Sequence, residues 1–376
     1  MDDPRTWHPA AAPRAAAALH RAAEASLGAD TGRVAAVRDG EIGAALDALL
    51  APGRGGELAA LFATAPSAAV HRHLWRLLAE RERAGAPDPT QLVRVFAIPV
   101  VVVAGREGAA SDPVELPGVV DDAGALAGLL REHGALAGHG AVALGNALAG
   151  ADALEFDRLG ALLAWRTLDD VPASDRALTP APIRVGAGAE GVHLRFLAGT
   201  VLAAQGVDPF RDAQVGAWGL PFARALAASL RIPGVSVLAL PRAPQPLVTA
   251  LWHGRVAQRE VGAQVFASNA IRKLRAATGE PAAVISVHRV AAAPGGAEVR
   301  LSLSSPLDTR EAEGFRCPLY PLDRVDDVVQ MLATLLADCR VADVRVQPGV
   351  HADRDPATGL TLLFKAGEAP PAAAMH

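Results

Sequence analysis

Hydrophobic positions along the chain recur at two periods, and the period changes with position. Up to about residue 85 the spacing is helical. Val70, Leu74, Leu77 and Leu78 recur at i, i+4, i+7 and i+8, one face of a helix. Thr64-Ala-Pro66 offers a cap and an early-turn proline ahead of them. The Ala-rich run after Pro13 predicts another helix, through about Ala25. Val93 to Ala104 (VRVFAIPVVVVA) is a continuous, β-branched run suited to a strand buried on both faces. Pro99 argues against that strand, because it removes a ladder hydrogen bond. Asp121 or Asp122 then caps a helix carrying Leu126, Leu129 and Leu130, with Gly134 as its stop. The stretch from Ala135 to Gly150 has no clear period, and a further helix is expected from Leu154 to Leu168.

After a Pro-rich stretch at 169–182 the period shortens to two. Ile183 and Val185 alternate with Arg184, and Val192, Leu194 and Phe196 with His193 and Arg195, which predicts a hairpin around a Gly-rich turn. A helix starting at Pro221 would bury Phe222, Leu226 and Leu230, and VSVLAL reads as a strand closed by Pro241. About a hundred residues later the order returns. Val284 to Val290 and Val299 to Leu303 form a second hairpin. Asp323 caps a helix bearing Val325, Val328, Val329, Leu332, Leu335, Leu336 and Cys339. VADVRVQ is a strand stopped by Pro348. A long helix, from Leu247 or Arg255 to Ala277, joins the halves, and a last strand, Leu360 to Phe364, follows the turn DPATG.

The fold class expected is therefore α+β. A helical N-terminal region precedes mixed or antiparallel sheet units, and the recurring order fits a duplicated ββαβ module. The expected organisation is helical over 1–85, α/β over 86–180, α+β over 181–366, and a disordered tail over 367–376.

Composition narrows the function classes. The net charge is −4 with a pI near 6.3, so there is no global basic field for nucleic acid or an anionic membrane surface. Lys273 and Lys365 are the only lysines, with arginine elsewhere, a usage that points to a GC-rich bacterial genome rather than to chemistry. No run approaches the roughly 20 apolar residues of a membrane span. Cys317 and Cys339 are too few for a metal-ligand pattern. A soluble, cytoplasmic protein with no cofactor and no metal is expected.

Motifs add little. Gly186, Gly188 and Gly191 form a G-x-G-x-x-G, but a strand rather than a helix is expected after it, so it reads as a turn. There is no G-x-x-x-x-G-K-[ST] and no G-x-S-x-G. His71 and His73 lie on different helix faces and suit a solvated or partly packed pair. His351, Asp353 and Asp355 could share one face of an extended segment, yet Asp355-Pro-Ala-Thr-Gly359 reads as an ordinary turn. Arg300, Ser302, Ser304 and Ser305 read as the solvent face of a sheet. The best candidate ligand-binding residues are His253, Arg255 and Arg259, two of them arginines one turn apart that could grip a carboxylate or phosphate, with His288 as a further acid/base candidate. Two functions remain in view. One is a non-catalytic binding or adaptor protein with an unknown protein partner or self-association. The other is a small-molecule enzyme acting on an anionic substrate.

Overall fold

The computed structural model describes residues 14–51, 53–84, 93–106, 112–136, 141–156, 162, 165, 167–168, 178–186, 190–204, 206–210, 214–290, 296–305, 312–320, 322–355 and 358–365. The expected tail and most of the expected 154–168 helix lie outside them. The described residues up to Gln258 form one compact unit, and those from Arg259 on form another.

The first unit opens with four helices: α1 (Arg14–Leu27), α2 (Gly32–Leu49), α3 (Gly55–Ala63) and α4 (Ala68–Ala84). Thr31 caps α2 by accepting from the Val34 amide. Asp39 of α2 ties three helices together. It accepts from the Ser26 hydroxyl at 2.6 Å, contacts His73 Nε2 at 2.8 Å, and accepts from Arg76 at 3.1 Å. His73 is therefore paired, not merely solvated.

A four-stranded antiparallel sheet follows, in the order β3 (Val142–Ala149), β5 (Gly191–Leu202), β1 (Val93–Arg106), β6 (Val235–Pro241). One face of β1 (Phe96, Ile98, Val100, Val102, Ala104) packs against α5 (Ala123–Glu132) and α6 (Gly216–Ser229) through Leu126, Leu130, Trp218, Phe222 and Leu226. Asp122 caps α5 as expected, accepting from the Ala125 amide at 2.8 Å.

Pro99 sits in the middle of this sheet, and the geometry explains why it is tolerated. Its backbone faces β6 where that strand leaves the sheet. Pro241 is the last β6 residue paired there, and the Pro99 carbonyl accepts from Arg242 at 2.7 Å. Pro99 thus gives up one bond at the end of the β1–β6 ladder and keeps the other through its carbonyl.

Two expectations are corrected in this unit. Ile183–Val185 (β4) does not pair with β5; it pairs antiparallel with Val114–Leu116 (β2) in a separate ribbon, while β5 pairs with β1 and β3. Residues flanking the Gly-rich turn thus enter different sheets, and the turn is not a hairpin. Pro221 does not start its helix, because α6 begins at Gly216 and carries Pro221 inside it. The sheet places β5 between β3 and β1.

The 31-residue helix α7 (Leu247–Ala277) contributes to both units. In the second unit its later residues Ala263, Ala267, Ala270 and Ile271 pack with Val328, Leu332 and Leu336 of α8 (Val325–Asp338) on one face of a second sheet. That sheet has the order β10 (Asp343–His351), β7 (Ala282–Arg289), β8 (Ala297–Ser304), β9 (Ala312–Pro318). The β7–β8 hairpin is the expected one. Strand β9 was not foreseen. Strand β10 continues past Pro348 through a register shift between Val346 and Val350, and it runs parallel to β7. Leu360–Phe364 forms no strand beyond one bridge, Arg354 to Thr361. Asp323 is not the helix cap; Arg324 holds that position without a side-chain cap.

The α+β class stands, with helices mainly N-terminal and sheets later. The duplicated module does not. In the first unit the two would-be hairpin strands lie in different sheets, and β6 runs antiparallel to its neighbour β1. In the second, β7 and β8 pair directly and β10 runs parallel to β7.

Candidate functional site

The residues singled out from sequence are brought to separate places. Arg255, in the first unit, pairs with Glu155, and both side chains are partly exposed. His253 is half-buried and lies against the Trp252 ring, with centroids 4.6 Å apart. Arg259, in the second unit, is buried. It forks onto both carboxylate oxygens of Asp323, donates to the Pro318 carbonyl at 3.0 Å, and lies 5.4 Å from the centre of the Tyr320 ring. Asp323 also accepts from the Tyr320 amide at 2.7 Å. Arg255 and Arg259, expected to grip one anion together, each hold a carboxylate of their own here, Glu155 and Asp323.

His288 belongs to a cluster on the sheet face opposite the apolar core of the second unit. Side chains alternate across β7 and β8. Ile285, Val299, Leu301 and Leu303 face the helices, and Ser286, His288, Glu298, Arg300, Ser302 and Ser304 face the other way. The polar row was expected to face solvent, yet all six side chains are buried. What covers them is the chain after β10. Arg300, fully buried, donates from Nε to Glu298 at 2.6 Å, to the carbonyls of Asp353 and Leu362 at 2.7 and 2.9 Å, and to the Asp353 carboxylate. Asp353 is therefore engaged with an arginine rather than set to bind a metal. Asp355 and Gly359 close the expected turn, with the Gly359 amide donating to the Asp355 carbonyl at 2.8 Å.

The His288 ring is fixed at both nitrogens. A carbonyl can only accept, so Nδ1 donates to Ala352 O at 2.8 Å. Nε2 is then the acceptor for the Ser286 hydroxyl, also at 2.8 Å. Arg300 lies 3.3 Å from Nδ1, a nitrogen whose hydrogen is already committed to Ala352. Burial pushes the His288 pKa down to about 4, and the Arg300 charge adds to the effect, so the ring is neutral. This tautomer is the one a general base needs. The pair is nevertheless fully buried. Cys317 lies on the opposite, apolar face of the sheet from His288, and burial pushes its thiol up to about 12, the reverse of what a nucleophile requires.

Sequence reasoning missed an open cleft in the first unit. Ala15, Leu19, Ala45, Leu49, Ala60 and Leu61 of α1, α2 and α3 line a space of about 570 Å³. It exists because alanines face one another across three helices and do not fill the gap between them. Arg54 and Glu57 stand at its rim, paired to each other at 2.6 and 2.8 Å. The signal was the Ala-rich composition of α1 and α3, which carries no chemistry by itself. No helix among the described residues is long and apolar enough to cross a membrane. Compared with known proteins, the chain matches no family model, no curated protein and no solved structure.

Proposed function

We propose that this is a binding protein whose ligand presents an apolar group to the cleft between α1, α2 and α3. The observation that carries this reading is the cleft itself. Its volume of about 570 Å³ falls within the range of small-molecule pockets, and its walls are apolar with one charged pair at the rim. The same surface suits an apolar side chain on a protein partner, which keeps the adaptor reading. A bacterial cytoplasmic setting accords with the arginine-rich usage and with Cys317 and Cys339 both being free thiols. The alternative, an enzyme gripping an anion through Arg255 and Arg259, draws no support from guanidiniums already held by Glu155 and Asp323.

The test is fluorescence titration with an anilinonaphthalene sulfonate probe, then displacement by medium-chain fatty acids and by amphipathic peptides. Wild type should bind the probe, and Ala45→Phe, which fills the cleft, should weaken binding by roughly tenfold or more with its circular dichroism unchanged. Equal binding by both proteins would remove the cleft from consideration. Displacement by peptide but not by fatty acid would favour the adaptor form.

A further inference from the structure

The two faces of the second unit's sheet are covered in different ways. One face is sealed by α7 and α8 through Val299, Leu301, Leu303, Val328, Leu332 and Leu336, all apolar. The other is polar and is covered by two short described stretches, Ala352–Asp355 and Thr358–Lys365. These fold on each other. The Asp355 amide donates to Leu360 O at 2.8 Å, and Leu362 N to Asp353 O at 3.1 Å. We propose that these stretches form a releasable strap, clamped by Arg300 and Phe364, that opens to uncover the Ser286–His288–Arg300 face while the sheet stays folded.

Three observations support release without unfolding. First, Arg300 does not depend on the strap for charge balance. It holds Glu298 at 2.6 Å on the neighbouring position of its own strand face, so losing Asp353 does not leave a naked buried cation. Second, most of the side chains on that face are serines, a histidine and an ion pair, which water can satisfy, with Val284 beside them. In the closed form Ser302 Oγ and His351 Nε2 are buried with no hydrogen-bond partner among the described residues, and both would gain water on opening. Third, the apolar grip of the strap is small. Phe364 packs against His351 and His288, with centroids 4.6 and 5.9 Å away, and Leu363 lies over Gly314, where a β-carbon would meet it at 2.6 Å. Just upstream, Pro348 and Gly349 interrupt the β10 register, and Gly349 takes a φ of 85° open to glycine.

The open face would offer a guanidinium freed of one carboxylate beside a neutral histidine and the Ser286 hydroxyl. The Asp353 carboxylate and the carbonyls of Asp353 and Leu362 occupy those donors in the closed form, as a ligand would. The strap is thus an internal occupant of its own face.

Hydrogen–deuterium exchange with mass spectrometry on the full chain tests this. Asp353→Asn weakens the clamp and Phe364→Ala the anchor, and neither touches the opposite core. In both variants, peptides covering 352–365 should exchange roughly tenfold faster or more, while peptides from β7, β8 and α8 keep wild-type protection. Parallel loss of protection in β7 and β8 would overturn the proposal, since the strap would then be part of the cooperative core. Unchanged exchange of 352–365 in both variants would overturn it as well, because the named clamps would not be what holds the strap.

Discussion

Arg255 and Arg259 stand one turn apart on α7 and differ chiefly in burial. Arg255 and Glu155 are partly exposed, so water screens the pair and it adds little, with exposed pairs worth about 0–1 kcal/mol. Arg259 and Asp323 are both nearly inaccessible. Removing Asp323 leaves a buried guanidinium without its counter-charge, which costs about 3–5 kcal/mol. Asp323→Ala should therefore lower the urea midpoint strongly, or prevent folding of the second unit. Glu155→Ala should change the unfolding free energy by under about 1 kcal/mol and leave the midpoint nearly where it was. Equal effects in parallel urea titrations would contradict the burial argument. The spacing of the two arginines was legible in the sequence. Their separate partners were not, because Glu155 and Asp323 lie far along the chain on either side.

At the scale of elements, legibility followed the strength of local periodicity. Helix α8 and the β7–β8 hairpin were visible because the residues of each keep one period throughout, 3.6 in the helix and two in the strands. Strand β9 was not, since its residues, AEGFRCP, alternate weakly and pair only through β8. The β4–β5 hairpin failed for the opposite reason. Both strands are real, but partner choice was decided by β2 and β1, which no local pattern encodes. Packing against the sheet also fixes Gly254 in α7. A β-carbon there would lie 2.9–3.0 Å from atoms of Phe196 and Leu194, both buried strand residues. Gly254→Ala would ordinarily stabilise a helix interior by about 0.5–1 kcal/mol. Here the ring cannot retreat, so the substitution should be neutral to destabilising, and Gly254→Leu should cost about 1–3 kcal/mol in thermal or urea unfolding. A gain in stability from Gly254→Leu would show that α7 is not seated on Phe196.

On the scale of the whole molecule, Glu82 in one unit and His288 in the other respond to pH in opposite senses, and His193 and His351, also lowered by burial, side with His288. Glu82 accepts from the Val248 and Thr249 amides at 2.7 and 2.9 Å, supplying the cap that α7 lacks locally because Gln245-Pro246 precede it. Burial nevertheless raises its pKa from 4.5 to about 7. The folded form then holds a proton that the unfolded form has lost, so this contribution is complete below pH 4.5 and disappears as pH rises to about 7. His288 behaves in the reverse sense. Its folded pKa of about 4 lies below the ordinary 6.5, so the unfolded chain binds the proton first. Its contribution is complete above pH 6.5 and is lost as pH falls towards 4. At about 1.4 kcal/mol per pKa unit, each amounts to roughly 3–4 kcal/mol at full extent. Between pH 4.5 and 6.5 the Glu82 slope falls and the His288 slope rises. Glu82→Gln removes the falling component, so its stability should rise more steeply with pH across that window. His288→Gln removes the largest rising contribution, so its stability should rise less steeply with pH than that of wild type. Urea unfolding of the three proteins at half-unit pH steps reads both slopes. Identical slopes in all three would mean that neither group is held in the environment described.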